Sequence, residues 1–313
     1  MGKNGIVVIG AAFVDIKGFP NDAFIAEGRN AGRVEYVHGG VARNVVENIA
    51  NIELKPTYLG IVDDTPLGQA VLDKLNNHKV NTKYVLTIPD GMGTWLAIFD
   101  NNGDVAGSIS KRPDMMPLVD LLEEKGDEIF KDADAIVLEV DLDKPIVKKV
   151  IELGKKYNKP LHALVSNMTI CYERRDLLKD FDCFICNQQE AGMFFSRDCE
   201  NMDCDEMQRT LPTLVKNAGL KTMIVTMGEN GAIYATSLGE AGYVKAHQVH
   251  VKDTTGAGDA FCAGVAIGMT YGKKLPEAVN IGSTLAASVI TSHENVCPRF
   301  LPAELGLDVE IEE

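Results

Sequence analysis

The segment DTTGAGDAFCAG, residues 253–264, combines small residues with oxygen-bearing side chains at the start of a predicted helix. Three small residues lead into its carboxylate: Gly256, Ala257 and Gly258. Because glycine has no Cβ and a first helical turn has unpaired N–H groups, an anion can approach this backbone closely. Asp259 follows in the first turn, where it either complements the helix dipole or acts as a base. Asp253 and Thr255 add oxygen atoms to the turn, and this favours an anion hole with an adjacent base.

A second candidate is the segment GGVARN, residues 39–44. Its paired glycines, Gly39 and Gly40, allow a ligand to approach the backbone closely, although a plain turn explains them too. Asn44 lies just inside the following helix, where its amide is both a donor and an acceptor. The segment therefore indicates a polar ligand at a helix start.

Two further segments carry polar residues where predicted strands end. In CNQQEAGMF, Asn187 and Glu190 are three residues apart, so both can face one ligand or a hydrated Mg²⁺. A helix cap with a first-turn carboxylate explains this pair equally well. In TMGENGAIYA, residues 226–235, the glycine-rich turn either borders a nucleotide or is only a hairpin. Neither G-x-x-x-x-G-K-[ST] nor G-x-G-x-x-G occurs, so a phosphate would be bound by a different device.

The elements that must position these residues alternate between apolar strands and helices. GIVVIGAAFVDI is typical of one strand buried on both faces, and VARNVVENIANIEL of a helix that follows it. The same alternation continues through ADAIVLEVD, KPIVKKVIELGKKYN, PLHALVS, FDCFICN, MQRTLPTLVKNAG and KTMIVTMG. This pattern predicts right-handed βαβ units in one α/β domain, residues 1–313, with a doubly wound, mostly parallel sheet flanked by helices.

Residues 91–110 interrupt this alternation. GMGTWLAIFDNNGDVAGSIS has a period of two around Asn102 and Gly103, which predicts a β-hairpin. Inserted into a βαβ progression, the hairpin is either an ornament or part of a flap over the ligand, and the other motifs favour the flap. The adjacent basic segment KRP, residues 111–113, is expected to be solvated.

Composition limits the partners and the compartment. The chain has 313 residues, 45% of them hydrophobic, and a net charge of −14. It can bury a large core, but it presents no basic surplus for nucleic acid or a membrane surface. A neutral sugar or nucleoside fits this balance better than a polyanion. The seven cysteines and the short N-terminal apolar run indicate reduced thiols and a cytoplasmic location.

Together the motifs resemble the PfkB, or ribokinase-like, family of carbohydrate and nucleoside kinases over nearly the full chain. DTTGAGDAFCAG resembles the C-terminal signature of that family, GGVARN its Gly-Gly motif and NQQE its N-x-x-E motif. Ala42 stands where many members have a third glycine. The resemblance implies a kinase that uses ATP and Mg²⁺ and phosphorylates a hydroxymethyl group of a small neutral sugar or nucleoside. It also implies a β-lid, formed from about residues 16–36 and 91–110, that excludes water from the acceptor.

The resemblance implies a role for each candidate residue. Asp259 would be the base, and phosphoryl transfer needs no stronger one because its transition state is loose. The anion hole would be the backbone of Gly256, Ala257 and Gly258. Acceptor hydroxyls would be bound by Asp15, Gly39, Gly40, Asn44 and Asp141. The nucleotide would be bordered by Asn187, Thr226, Gly228, Gly231 and Asn280. Cations would be held by Glu190, for Mg²⁺ through water, and by Asp253 and Thr255, for a monovalent ion such as K⁺.

The acceptor is the least determined feature. FVDIKG and GGVARNVVENIA most resemble pseudouridine kinases and predict phosphorylation of the 5′-hydroxyl of pseudouridine or another ribose-bearing compound. Alternatives are ribose, fructose or a hexose phosphate as acceptor, and a regulator that binds a sugar or nucleoside without catalysis. Arg43 is expected to reach the γ-phosphate of ATP or a substrate phosphate. The sequence leaves open a requirement for K⁺ and a homodimer through the lid.

Overall fold

The computed structural model describes residues 5–309, so residues 1–4 and 310–313 of the predicted domain lie outside the described part. Its strands are β1 (Ile6–Ile9), β2 (Phe13–Pro20), β3 (Gly32–Gly39), β4 (Thr57–Leu59), β5 (Ile61–Val62), β6 (Leu86–Thr87), β7 (Gly93–Phe99), β8 (Val105–Lys111), β9 (Ala135–Glu139), β10 (Leu161–Leu164), β11 (Cys183–Asn187), β12 (Thr222–Thr226), β13 (Ala232–Thr236) and β14 (Ala241–Val244). Its α-helices are α1 (Val41–Ala50), α2 (Pro66–Asn77), α3 (Pro117–Asp132), α4 (Lys144–Lys156), α5 (Met168–Glu173), α6 (Arg175–Leu178), α7 (Gln188–Phe195), α8 (Cys204–Ala218), α9 (Ala257–Thr270) and α10 (Leu275–Ile290).

The main sheet has eight strands in the order β14-β13-β12-β11-β10-β9-β1-β4. The strands from β12 to β4 pair in parallel, whereas β13 and β14 are antiparallel additions at one edge. Successive side chains of β1 enter different hydrophobic clusters, which lie on the two faces of the sheet: Val7 and Ile9 pack with α3, α4 and α8, and Ile6 and Val8 with α1, α2, α9 and α10. The predicted doubly wound, mostly parallel sheet flanked by helices is confirmed.

A second sheet of four strands has the order β3-β2-β7-β8. It occupies residues 13–39 and 93–111, slightly more than the predicted lid segments, so Asp15 lies within it. The expected single strand GIVVIGAAFVDI is therefore divided between the two sheets, with Gly10–Ala12 as the joint. A Cβ at Gly10 would lie 2.4 Å from the Cβ of Ala42 and 2.5 Å from Glu139 Oε2, so the joint packs tightly against its neighbours.

The two faces of this lid sheet differ in exposure. One row pairs Tyr36, Ile16, Leu96 and Ile109 across all four strands. Tyr36 and Ile109 are 59% and 69% exposed, so much of this row is uncovered in one copy of the chain. The opposite face carries Asp15 and Trp95, which also pair directly.

No helix within residues 5–309 is both long and apolar enough to cross a membrane. All seven cysteines lie in the described part of the chain and are unpaired.

Candidate active site

The start of α9 forms an open cluster of backbone donors. Gly256 precedes the helix at φ 81°, and a Cβ there would lie 2.1 Å from Asn295 O, so only glycine fits. Among the described residues no side chain caps this helix, and no acceptor is bonded to the N–H of Gly258 or Asp259. A Cβ at Gly258 would meet nothing within 4 Å, which leaves space beside these donors. The arrangement is suited to an anion.

The carboxylate of Asp259 receives a hydrogen bond of 2.6 Å from Asn44 Nδ2. Desolvation raises the pKa of Asp259 to about 6, while this hydrogen bond and the positive charge of Arg43 act to lower it. A carboxylate with that pKa is ionised at neutral pH and still basic enough to take a proton. The structure therefore joins two of the residues predicted for the site.

Arg43 differs from the expectation. Its side chain is fully buried, and it donates to the carbonyls of Gly39 and His38, to Glu47 Oε2 and to Asn44 Oδ1. These acceptors occupy the guanidinium, so the prediction that Arg43 reaches a phosphate is wrong for this conformation. By holding Asn44 Oδ1, Arg43 instead directs the Asn44 NH₂ group toward Asp259.

The Gly-Gly pair brings the lid sheet and α1 together. A Cβ at Gly39 would lie 2.6 Å from Asp15 Oδ1, so Asp15 sits directly above this backbone. Gly40 has φ 93°, and a Cβ there would lie 2.6 Å from Ala11 O. Burial raises the pKa of Asp15. The residues predicted to bind the acceptor on β2, on this turn and on α1 therefore lie next to each other.

A cavity of about 270 Å³ lies at the ends of β1 and β9. Its walls include Phe13, Arg112, Asp141 and Arg174. Arg112 is exposed, as expected for the KRP segment, but its Nη2 also lies 2.6 Å from Asp141 Oδ2, a contact that the sequence did not predict. The carboxylate of Asp141 is fully buried, and this paired charge forms a polar end to the cavity.

Glu139 is connected to Asp141 through hydrogen bonds of Ser166. Ser166 Oγ lies 2.9 Å from Glu139 Oε1 and 2.5 Å from Asp141 Oδ2, and Ala11 N donates to Glu139 Oε2 over 2.9 Å. Burial, and then the charge of Asp141, raise the pKa of Glu139 to about 8. Glu139 is therefore mostly protonated at neutral pH and can donate to Ser166, which in turn donates to Asp141. Glu139 and Ser166 were not predicted from the sequence.

Asn187 and Glu190 satisfy each other in a helix cap. Asn187 Oδ1 accepts from Glu190 N at 2.8 Å, and Glu190 Oε2 accepts from Asn187 N at 2.9 Å. The capping alternative is thus present in the structure, and a role at Mg²⁺ stays a prediction. The cap uses one oxygen of the half-buried Glu190 carboxylate, so Oε1 remains for a metal-bound water.

The predicted nucleotide residues surround the end of β12. Thr226 pairs with Asn187 across β11 and β12. Gly228 and Gly231 have φ 57° and 98° in the turn to β13, and space around Gly228 is open. Asn280 is exposed on α10. Nothing in the structure tests whether these residues border a nucleotide.

The monovalent-cation residues form a local turn. Asp253 Oδ1 accepts from Thr255 N at 2.8 Å, and this hydrogen bond lowers the pKa of Asp253. Within residues 5–309, no group of three or more His, Cys, Asp or Glu side chains is arranged to hold a metal. A cation at this turn stays a prediction.

Comparisons with known proteins bear on the family and the fold. The family model described as pfkB family carbohydrate kinase matches residues 3–298. The chain is 34% identical to the guanosine-inosine kinase of Exiguobacterium acetylicum, over 96% of this chain and 99% of that one. It is 24% identical to the pseudouridine kinase of Escherichia coli, over 92% and 91%. The ribokinase of Arabidopsis thaliana, solved with ribose and ATP, has the same fold, with a TM-score of 0.83, 20% identity, and coverage of 97% and 99%.

Proposed function

The chain belongs to the pfkB family of carbohydrate kinases and is a sugar or nucleoside phosphotransferase, and we propose that it phosphorylates the 5′-hydroxyl of a nucleoside with ATP. Two curated relatives that span nearly the whole chain are named for nucleosides, a guanosine-inosine kinase and a pseudouridine kinase. Guanine, hypoxanthine and the base of pseudouridine share one feature: a ring N–H next to a carbonyl. Adenine lacks it.

The observation that carries this proposal is the ion pair between the buried carboxylate of Asp141 and the partly exposed guanidinium of Arg112 at the end of the acceptor cavity. A carboxylate accepts from a ring N–H, and an adjacent guanidinium donates to the neighbouring carbonyl. The pair therefore matches a base with that edge and leaves adenine with an unpaired partner. The identity to the guanosine-inosine kinase favours guanosine and inosine as acceptors.

Pseudouridine is the second candidate acceptor. Its base presents the same N–H and carbonyl edge, and FVDIKG and GGVARNVVENIA resemble pseudouridine kinases. The relative named for pseudouridine is less similar, at 24% identity. The size of the base separates the two candidates, since a purine fills more of the cavity than a pyrimidine.

In the proposed reaction, Asp259 takes the proton of the 5′-hydroxyl while that oxygen bonds to the γ-phosphorus. The bond from this phosphorus to the β-bridging oxygen breaks, and ADP leaves. Asn44 fixes the orientation of the Asp259 carboxylate through its hydrogen bond. The free N–H groups of Gly258 and Asp259 meet the charge on the transferring group, where fixed donors contribute most.

We propose that Mg²⁺ accompanies the nucleotide, with Glu190 as its protein contact through water. Mg²⁺ keeps most of its waters and binds few carboxylates when phosphates are present. The free Oε1 of Glu190 fits that requirement. Mg²⁺ would neutralise charge on the phosphates.

We propose that the exposed apolar row of the lid binds a second copy of the chain. Tyr36, Leu96 and Ile109 lie in one row across the sheet, with Ile16 between Tyr36 and Leu96, and a contact between two such rows would bury them. Light scattering of the purified protein is expected to show a dimer, and Ile109→Lys is expected to dissociate it. Leu238→Lys, at a position 95% exposed in the β13–β14 turn, is the matched control. A monomeric wild type would overturn this proposal.

We further propose a cytoplasmic location. The seven cysteines are unpaired, as is usual in a reducing compartment. Fractionation of cells that express the chain tests it, and recovery in an exported fraction would contradict it.

The proposed function is tested by kcat/KM for guanosine, inosine, pseudouridine, adenosine, ribose, fructose and fructose 1-phosphate at one ATP concentration with Mg²⁺. Guanosine or inosine is expected to exceed adenosine at least about tenfold, the cost of roughly one unsatisfied hydrogen bond. A free sugar or a hexose phosphate as the best acceptor would overturn the nucleoside proposal. No turnover with any acceptor would favour a binding regulator.

A further inference from the structure

A second cavity, of about 570 Å³, lies at the far end of α1 from the Gly-Gly turn. It is bounded by α1, α2, the C-terminal end of α10 and the segment 294–299. None of the residues assigned above to the acceptor, the nucleotide or the cations lines it. Its volume is in the range of about 300–1,000 Å³ that is usual for small-molecule sites.

The lining of this cavity is slightly more basic than acidic, although the chain has a net charge of −14. Its basic side chains are Lys55, Lys74, His78, Lys79 and Arg299. Its carboxylates are Glu47, which is paired with Arg43, Glu53, which is paired with Arg299, and Glu294. In the described part of the chain, no carboxylate lies within 4 Å of the amino group of Lys55 or Lys79. Two lysines of the lining therefore have no ion-pair partner among the described residues.

The fully buried carboxylate of Glu47 connects this cavity to the interior. Its Oε2 accepts from Arg43, but its Oε1 makes no hydrogen bond among the described residues. Lys74 Nζ lies 3.1 Å and His78 Nε2 3.5 Å from that oxygen, within ion-pairing range only. Glu47, Lys74 and His78 all line the cavity, so a bound anion would compete with Glu47 for Lys74 and His78.

Glu47 also connects the cavity to the catalytic carboxylate. Arg43 bonds both Glu47 and Asn44, and Asn44 bonds Asp259. The contacts are continuous, so a change at Glu47 Oε1 reaches Asp259 through two intervening side chains.

The segment 294–299 offers a second connection. Cys297 and Arg299 line the cavity, while Asn295 O packs against Gly256 in the anion hole. Asn51 joins this segment to α2, because it donates to Cys297 O at 2.7 Å and its Oδ1 lies 2.6 Å from His78 Nδ1. These contacts link His78 to the segment that borders the proposed anion hole.

We propose that this cavity is a regulatory site for a small phosphate-bearing molecule, held by Lys55, Lys74, His78 and Lys79, whose binding changes turnover at Asp259. Ammonium groups provide charge-assisted hydrogen bonds to phosphate oxygens, and an imidazole N–H donates to them as well. The apolar part of the wall, Ala50, Leu54 and Val296, suits the organic part of such a molecule. This site is independent of which acceptor the enzyme uses.

The test follows the imidazole signal of His78 by NMR, assigned with His78→Gln. Inorganic phosphate, pyrophosphate and a nucleoside monophosphate are titrated in turn, with the catalytic site saturated by a non-hydrolysable ATP analogue, Mg²⁺ and acceptor. The signal is expected to shift saturably with at least one of the three probes, and the tightest of them distinguishes a bare phosphate from an ester. A signal that stays unchanged with all three overturns the proposal.

The variants Lys55→Gln and Lys79→Gln locate the binding. Each removes a cation that has no ion-pair partner among the described residues, so neither is expected to unfold the chain. Each is expected to weaken binding about tenfold, as for the loss of one charged hydrogen bond. Lys148→Gln, which removes an exposed charge from α4, is the control and is expected to bind like the wild type. Equal affinity in all three variants would overturn the assigned site.

The coupling is tested separately by kcat at saturating ATP and acceptor. The tightest probe is expected to change kcat at least twofold in the wild type and in Lys148→Gln, and to need higher concentrations in Lys79→Gln. A saturable His78 shift with an unchanged kcat would overturn the regulatory role.

Discussion

Asn44 donates a hydrogen bond of 2.6 Å to Asp259 although 215 positions separate them in the chain. Each follows a glycine-containing turn at the start of a helix, Asn44 on α1 and Asp259 on α9. The two helices pack against each other, so the Gly39–Gly40 turn and the turn that precedes α9 are joined by this bond. Arg43 holds the other end of the Asn44 amide, and this fixes which atom faces Asp259.

The first prediction concerns the base. Asp259→Asn removes the base without changing the shape of the turn, so kcat is expected to fall by roughly 10²–10⁴-fold while acceptor binding persists. Asp205→Asn, which removes a first-turn carboxylate from α8, is the matched control for a helix-dipole role and is expected to keep full turnover. A variant at 259 with more than about a tenth of wild-type kcat would show that the carboxylate is not the base.

The second prediction concerns pH. Because Asp259 must be ionised to accept a proton and its pKa is about 6, kcat/KM is expected to rise with pH, to reach half of its plateau near pH 6 and to level off roughly one pH unit higher. The Asn44 hydrogen bond lowers this pKa, so Asn44→Leu is expected to move the acid limb to higher pH. Both proteins are measured from pH 5 to 8 with the same ATP, whose own titration then cancels in the comparison. Identical acid limbs in the pH profiles of the wild type and Asn44→Leu would contradict the assignment of this titration to Asp259.

A third prediction separates two glycines of one turn. Gly258→Ala is expected to fold normally, with up to about 1 kcal/mol of added helix stability, because a Cβ there meets nothing. Its methyl group nevertheless enters the space beside the free donors, so kcat is expected to fall about tenfold or more. Gly256→Ala, at φ 81° and against Asn295 O, is expected to lower Tm as well as kcat. Full turnover by Gly258→Ala would show that the transferring phosphoryl group does not occupy this space.

The fourth prediction distinguishes the two acceptor carboxylates. Asp141→Asn is expected to lower kcat/KM for guanosine by about 10–100-fold with little effect on adenosine, because only guanosine loses a partner for its ring N–H. Asp15→Ala is expected to raise KM for every riboside alike and to leave KM for ATP unchanged. These values come from steady-state kinetics with both acceptors. An Asp141 variant that affects guanosine and adenosine equally would assign Asp141 to the ribose instead.

The fifth prediction concerns stability. The pKa of Glu139 is about 8 in the folded chain and near 4.5 when exposed, so between these values only the folded state keeps the proton. Glu139 therefore lowers the free energy of unfolding as pH rises from about 4.5 to 8, by about 1.4 kcal/mol per pKa unit. Glu139→Gln is expected to have a higher Tm than the wild type at pH 8, but not at pH 5. The exposed Glu123→Gln serves as control, and a gain that does not depend on pH would contradict the assigned titration.

The sequence predicted the elements and motifs whose signals are local. Apolar β-branched runs and helical spacing identify the strands of the main sheet, and the Asn102–Gly103 pair identifies the lid hairpin. The glycine turns before Asn44 and Asp259 could be predicted for the same reason, because a backbone that packs closely against other atoms requires glycine at that position. The division of GIVVIGAAFVDI at Gly10 is not visible, because both halves are apolar and only their packing partners differ.

Contacts between residues that are far apart in the chain could not be predicted from the sequence. The pairing of Arg112 with Asp141 joins residues on two separate elements, and an arginine in a KRP segment is ordinarily solvated. Glu139 is one more residue in an apolar strand until its burial beside Ser166 is known. Arg43 was predicted to contact a phosphate because it is adjacent to Asn44. In the structure it is buried against Glu47 and orients the Asn44 amide instead.

The lid sheet also bears on how the chain folds. Its central pair, β2 and β7, is parallel, and their register of Phe13 with Gly93 encloses β3, α1, β4, β5, α2 and β6, of which only β4 belongs to the main sheet. Closing so long a loop costs entropy that is recovered only once those enclosed elements have docked. We therefore expect the lid to assemble late, after the main sheet has formed around β1. Until then its apolar row has no ordered partner, which makes this stretch the point at which newly made chains are most prone to associate wrongly.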